Sequence, residues 1–310
     1  VNIELPDEVR DAICVVSVSG GKDSAAVMLS LLDRRDELLA RNCELRFVFA
    51  DTGWESALTY AHLDTMRTHL GIQIDVVGVE GGMRGRIAYR AGFPSRIMRW
   101  CTQELKLKPL RAYHEQLRAD TGKDTISVVG VRGGESEARQ KMPVFAYDNE
   151  WDGFVWRPIH AWTVTDVLLT HRKFGLPMNP LYQRGHDRVG CYPCIFENKD
   201  GIALIAKNDP DRIDEIAALE QQTRTLRAER NAERTEAKSG DVRYQHPQGY
   251  FFQSRDRKSG VLQDIHQVVE WSRTARGGKQ MLLFDPVPLG GCMRWGLCET
   301  SPTDSNKDAK

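Results

Sequence analysis

Four kinds of side chain fall within six consecutive positions near the start of this chain: Ser19, Gly20, Gly21, Lys22, Asp23 and Ser24. Hydroxyls from Ser19 and Ser24, a full positive charge on Lys22 and two glycines that let the backbone approach closely make a set suited to holding phosphate. An apolar run at 13–18 precedes them and a helical pattern from Ala25 follows. A buried strand turning sharply into a helix N-terminus aims free N–H groups and the positive end of the helix dipole at one place, which is an anion site. The spacing is not that of a Walker A loop, which needs four residues between its first glycine and the Gly-Lys pair.

Cysteines are the second chemical resource. The chain has seven, an odd number that argues for metal or redox use over a disulfide framework. Cys191 and Cys194 form a C-x-x-C turn stiffened by Pro193. Cys101 sits near Arg99, Lys106 and Lys108, and cationic neighbours favour a thiolate, so it could be a nucleophile or a ligand. Two sets of four thiols are available, Cys101, Cys191 and Cys194 with Cys298, or Cys191, Cys194, Cys292 and Cys298. Four thiolates suit an iron–sulfur cluster or a structural zinc. Cys14 and Cys43 read as ordinary thiols, and the histidines show no ligand spacing.

The elements that must position these groups alternate. Apolar strands are expected at 13–18, 45–49, 74–79 and 126–131, with helices at 25–40, 57–70 and 105–117. That rhythm implies an α/β fold, a largely parallel Rossmann-like sheet with helices on both faces, and ligands at the C-terminal strand ends. The strand at 45–49 runs into Asp51, Thr52 and Gly53, and the strand at 126–131 into Arg132, Gly133, Gly134 and, further on, Arg139. Two arginines bracketing a Gly-Gly turn suit an arm that closes over phosphates. Thr163 is a good N-cap for a further helix.

Composition sets the outer limits. At 310 residues with 41% hydrophobic residues, the chain can bury a sizeable core, and two domains are expected. No apolar run reaches the length of a membrane span, and the first residues do not pattern as a signal peptide, so a cytoplasmic protein without membrane contact is expected. Acids and bases balance at 43 each, yet residues 84–118 hold nine Lys or Arg against two Glu. Brought beside the phosphate loop, that stretch would make a positive patch. After Cys194 the pattern turns helical, with a charged run at 224–238 expected to form a long exposed helix, and the tail from Thr300 reads as disordered.

SGGKDS at 19–24, DTG-x-E from Asp51, RWCT-x-x-LK-x-x-P from Arg99, G-x-R-x-x-ES-x-x-R from Gly130 and NPLY-x-x-G-x-x-R-x-GC-x-x-C from Asn179 occur in that order. Together they resemble the phosphoadenosine phosphosulfate (PAPS) reductase family of the PP-loop ATP pyrophosphatase superfamily, over roughly residues 12–196. The resemblance implies a PP-loop domain at 1–196, a helical extension at 197–299 returning cysteines to the metal site, and a tail at 300–310. It implies that Ser19, Gly20, Gly21, Lys22, Asp23 and Ser24 bind ATP phosphates with Mg²⁺, and that Asp51, Thr52 and Gly53 line the nucleotide site. Lys106, Arg132 and Arg139 would hold the charged end of the substrate. Cluster-bearing relatives ligate a 4Fe-4S cluster through cysteines matching Cys101, Cys191 and Cys194. They carry adjacent cysteines where this chain has Cys101 followed by Thr102, so a fourth ligand must come from elsewhere. Cys298 is the first choice, Cys292 the reserve and structural zinc the alternative.

Two activities follow from the resemblance. In a sulfonucleotide reductase, a C-terminal cysteine in a Glu-Cys-Gly-x-His motif attacks the sulfur of adenylyl sulfate or its 3′-phosphorylated form. Here Cys298 is followed by Glu299, Thr300, Ser301 and Pro302 instead. In a PP-loop ATP pyrophosphatase, an acceptor oxygen is adenylated and sulfur then displaces AMP. The layout is similar to that of the ATP pyrophosphatase component of bacterial DNA phosphorothioation systems. A sulfur donor such as a cysteine desulfurase and a DNA or other nucleic-acid acceptor are then the expected partners.

Overall fold

The computed structural model describes residues 2–237, 249–256 and 259–274, so Cys292, Cys298 and the tail lie outside the described residues. Along the chain run β1 (Ala12–Ser17), α1 (Lys22–Asp33), α2 (Arg35–Ala40), β2 (Glu44–Asp51), α3 (Ala57–Leu70), β3 (Asp75–Gly78) and α4 (Gly82–Arg90). There follow α5 (Trp100–Thr102), a π-helical turn (Gln103–Leu107), α6 (Lys108–Thr121), β4 (Asp124–Val128), α7 (Glu137–Gln140), β5 (Phe145–Asp148) and β6 (Gly153–Trp156). The remainder is helical: α8 (Val164–Phe174), α9 (Pro180–Gln183), α10 (Lys199–Asn208), α11 (Pro210–Ala237) and α12 (Ile265–Ser272).

The six strands form one sheet in the order β3-β2-β1-β4-β6-β5. All pairs are parallel except β5 with β6. β1 is central and buried on both faces, which explains why its sequence is a continuous apolar run rather than an alternation. Cys14 and Val16 share one core with Ala25, Val27 and Met28 of α1, whereas Ile13 and Val15 meet Leu110, Tyr113 and Leu117 of α6 on the opposite face. The chain leaves β1 towards β2 on one side and β4 pairs on the other, so the C-terminal end of β1 is the topological switch point where such sheets bind ligands.

Helix α3 occupies the residues expected for it, because Ser56 caps its N-terminus and Gly71 adopts the left-handed conformation beyond its last turn. The helix expected at 25–40 is instead two, broken at Arg34, and it begins at Lys22. The hairpin of β5 and β6 was not expected: each strand has four residues, and Tyr147 and Phe154 on it are exposed, leaving no clean alternation to read. A second core gathers Trp54, Phe93, Trp100 and Tyr192 with Ile202, Ile205, Ile213 and Ile216 of α10 and α11, and Ile265, Val268 and Val269 of α12. The helical extension is thereby packed on the loops that carry the cysteines. Among the described residues no helix is long and apolar enough to cross a membrane.

Three buried histidines give the fold a pH limit. Burial first, then His171, Arg118 and Arg184 respectively, pushes His62, His114 and His186 from 6.5 down to about 4. Between those values the unfolded chain binds protons that the fold refuses, so stability is lost as pH falls through this window. The slope is at most about 1.4 kcal/mol per pH unit for each histidine. A urea midpoint lower at about pH 5 than at about pH 7 is the expected result, with a shallower drop in His114→Gln.

Candidate nucleotide and thiol site

The phosphate loop follows β1 and opens α1. Val18 N–H donates to Val48 O at 2.8 Å, continuing the sheet for one residue, and Gly20 then turns with φ +71°. A Cβ at Gly20 would stand 2.8 Å from Thr59 Cγ2, so the position needs glycine for space as well as for conformation. Ser24 Oγ accepts from Ser19 N at 3.1 Å and donates to Gly21 O at 3.1 Å, and the two serine hydroxyls lie 3.0 Å apart. From the loop after β4, Gly130 presses on the start of α1, where a Cβ would meet Ser24 N at 2.8 Å.

Parts of the chain far away in sequence fix the backbone of this loop. Tyr182 Oη accepts the N–H of Lys22 at 3.1 Å, Asn179 Nδ2 donates to Gly20 O at 3.0 Å, and His171 Nε2 donates to Lys22 O at 2.9 Å. The first N–H of α1 is therefore not free for an anion, as the sequence had suggested. Burial pushes the Tyr182 phenol well up, so it stays protonated and serves as a neutral acceptor.

The charged groups converge on Asp23. Lys22 Nζ stands 2.9 Å from one carboxylate oxygen, and Arg132 Nε donates to the other at 2.5 Å. Both cations are buried. Arg139 points elsewhere, pairing with Glu135 on the exposed side of its loop. Asp51 accepts from Gly53 N at 2.8 Å and from Tyr60 Oη at 2.7 Å, so it holds its own turn closed. Buried Glu55 does the same for Thr52, accepting from its hydroxyl at 2.7 Å and from its N–H at 3.2 Å.

The DTG-x-E loop is also where the thiols arrive. Tyr192 N–H donates to Trp54 O at 2.8 Å and Trp54 Nε1 to Pro193 O at 3.0 Å, stitching the C-x-x-C turn to it. Cys101, Cys191 and Cys194 border the same core and lie within electrostatic reach of one another. Burial raises the Cys101 thiol, with Cys194 adding to the effect; burial also raises Cys191, while Lys106 opposes it. Burial disfavours the charge on Lys106, but Cys191, Glu55 and Cys194 outweigh it and hold its pKa above the usual lysine value. Three soft donors facing one cation fit a thiolate-held metal group in their chemistry. Among the described residues, however, no three His, Cys, Asp or Glu side chains stand at ligating spacing, and the candidate fourth ligands lie beyond them.

A family model for the phosphoadenosine phosphosulfate reductase domain matches residues 13–197, more than half of the chain. The chain belongs to the PAPS reductase family. Its match to this family takes in the phosphate loop, the Asp51 turn, Arg132 and all three thiols. An uncharacterised 37.8 kDa protein from the gpa 5′ region of Escherichia phage 186 is 32% identical over 259 residues, covering 68% of this chain and 75% of that protein. The adenosine 5′-phosphosulfate reductase of Rhizobium tropici is 37% identical over 101 residues, covering 33% of this chain and 52% of the reductase. This PAPS reductase family member thus spans about half the length of that enzyme. A PAPS reductase structure from Candida auris aligns at 15% identity with a TM-score of 0.42, over 58% of this chain and 81% of that one.

Within this member of the PAPS reductase family, the groups that sequence reasoning left without a role are Tyr182, Asn179, His171 and Glu55. The first two stand in the NPLY motif, so the motif itself was the signal. His171 lies on the buried face of α8 and carries no motif to mark it.

Proposed function

We propose that this protein is a PP-loop ATP pyrophosphatase that adenylates an acceptor oxygen for sulfur transfer, in DNA phosphorothioate modification. The observation that supports it best is the sharing of one carboxylate, Asp23, by Lys22 and Arg132 at the N-terminus of α1. An incoming triphosphate offers both cations a denser negative charge than Asp23 does, so they turn from it to the β- and γ-phosphates. Ser19 and Ser24 then donate hydroxyls, and the Asp51–Gly53 turn borders the nucleoside. Attack of the acceptor oxygen on the α-phosphorus expels pyrophosphate, whose charge the two cations stabilise, and a sulfur nucleophile later displaces AMP. Mg²⁺, when bound, would add charge neutralisation at the phosphates. Cys101, Cys191 and Cys194, with Cys298 or Cys292, would hold a 4Fe-4S cluster that supplies a soft site for sulfur.

The test is product analysis with ATP and Mg²⁺. AMP with pyrophosphate is expected, and ADP with phosphate would place cleavage at the wrong bond. The identity shared with an adenosine 5′-phosphosulfate reductase favours a second reading, reduction of a sulfonucleotide. Release of sulfite from adenylyl sulfate or its 3′-phosphorylated form, with thioredoxin as reductant, would select that reading over the first.

A further inference from the structure

The basic stretch at 84–118 does not collect at the phosphate loop. Arg84 pairs with Glu215, and Arg111 reaches the carbonyl of Glu150. Four other arginines gather on a different surface, each laid over an aromatic ring. Arg86 lies 5.6 Å from the Tyr89 ring centre, Arg90 5.6 Å from that of Trp100, and Arg96 and Arg99 5.7 and 5.2 Å from that of Phe196. Glu104 is the carboxylate among them and takes Arg86 and Arg90. Arg96 and Arg99 have no carboxylate partner among the described residues, so the patch keeps a net positive charge.

Two of these arginines, Arg90 and Arg99, line an open cleft of about 700 Å³ together with Tyr89, Ile97, Met98 and Gln103. Its apolar side chains face water to an unusual degree: Ile97 is 94% exposed and Tyr89 70%. Leaving an isoleucine so exposed beside stacked guanidinium groups gives nothing to the fold, and an apolar surface rimmed by charge marks a contact site. The cleft lies beside the thiol-bearing segments: Trp100, which lines it, precedes Cys101, and Arg99, which also lines it, stacks on Phe196, two residues beyond Cys194.

We propose that this cleft binds a stretch of single-stranded DNA and delivers its backbone to the thiol-bearing side of the active site. The proposal rests on the DNA-acceptor reading above and supplies the surface that reading lacks. Charge complementarity selects a polyanion, and the arginine planes, held in place by the rings beneath them, present donors to phosphate oxygens. Tyr89, Ile97 and Met98 supply flat and apolar contacts on which unstacked bases rest, the combination used by sequence-tolerant single-strand sites.

The experiment is fluorescence anisotropy of a labelled dT20 oligonucleotide with the full chain and no nucleotide present. Wild-type protein is expected to bind dT20 at least about tenfold tighter than a duplex of equal length. Arg96→Ala with Arg99→Ala should weaken binding by about tenfold and lower the slope of log K against log salt by about 1.4, the value for two lost phosphate contacts on a single strand. Tyr89→Ala should weaken binding several-fold with the salt slope unchanged, which separates stacking from charge. Being exposed, these side chains can be removed without unfolding the protein, and an unchanged thermal midpoint checks this. Equal binding of duplex, tighter binding of rU20, or arginine variants that bind as wild type would each overturn the proposal. Because ATP is absent from the assay, its failure is distinct from a failure to produce AMP and pyrophosphate.

Discussion

Lys22→Ala is expected to slow release of pyrophosphate from ATP by about 10²–10³-fold, equivalent to roughly 3–4 kcal/mol of lost transition-state stabilisation. Lys22 is only 7% exposed, and in the proposed reaction its ammonium would lie where charge develops on the departing pyrophosphate. A cation so placed acts in a site shielded from water, where its effect on a growing negative charge exceeds that of a surface lysine. The fold should survive the change, because α1 is anchored by Ala25, Ala26, Val27, Met28 and Leu29, and Asp23 retains Arg132 as its partner. A pyrophosphate-release assay with a coupled phosphatase reads the effect directly. A rate within a factor of two of wild type would transfer the role to Arg132, and Arg132→Ala would then show the large loss instead.

If the thiols hold the proposed 4Fe-4S cluster, Cys191→Ser is expected to remove its iron and the visible absorbance of anaerobically prepared protein almost completely. A serine hydroxyl gives up its proton far less readily than a thiol, and it is a poor ligand for soft metals. Cys191 is the thiol for this test because it touches the most of the site: Thr52 Oγ1 lies 4.0 Å from its sulfur, Lys106 hydrogen-bonds it, and Glu55 pairs with it through a backbone bridge. Iron and acid-labile sulfide assays, read beside the absorbance, check the result. A colourless wild-type protein with one tightly held zinc, lost in the same variant, would replace the cluster by the zinc alternative. A variant that keeps its iron in full would place the ligands elsewhere.

The two tests address different distances along the chain, and that difference governs what could be read in advance. The phosphate loop is a local object. Its strand, turn and helix are consecutive, and each carries a signal only a few residues long: an apolar run, a glycine at φ +71°, and serines bonded five residues apart. Residue types and spacing therefore determined the α/β alternation, the four strands β1 to β4 and the turn proposed to hold phosphate. The order of five short motifs was enough to point to the family; three of them follow β1, β2 and β4 in the one sheet, and the other two open α5 and α9.

What the tertiary structure decided is which distant groups complete that loop. Tyr182 caps the N–H of Lys22 across 160 positions and His171 takes its carbonyl across 149, and neither contact has a periodicity or spacing that a linear reading can register. The two arginines flanking the Gly-Gly turn looked equivalent in the sequence, yet the path after β4 carries Arg132 to Asp23 and leaves Arg139 with Glu135. The run of basic residues at 84–118 was legible as charge but not as place. Helix α4, the π-helical turn and α6 send its members to separate surfaces, because residues two apart on a helix, such as Arg84 and Arg86, face different neighbours. Convergence of Cys101 with Cys191 and Cys194 depended likewise on the pairing of Trp54 with the Tyr192–Pro193 turn. Local hydrogen bonding and apolar periodicity write themselves into the sequence; the choice of partner across the sheet is made only when the chain closes on itself.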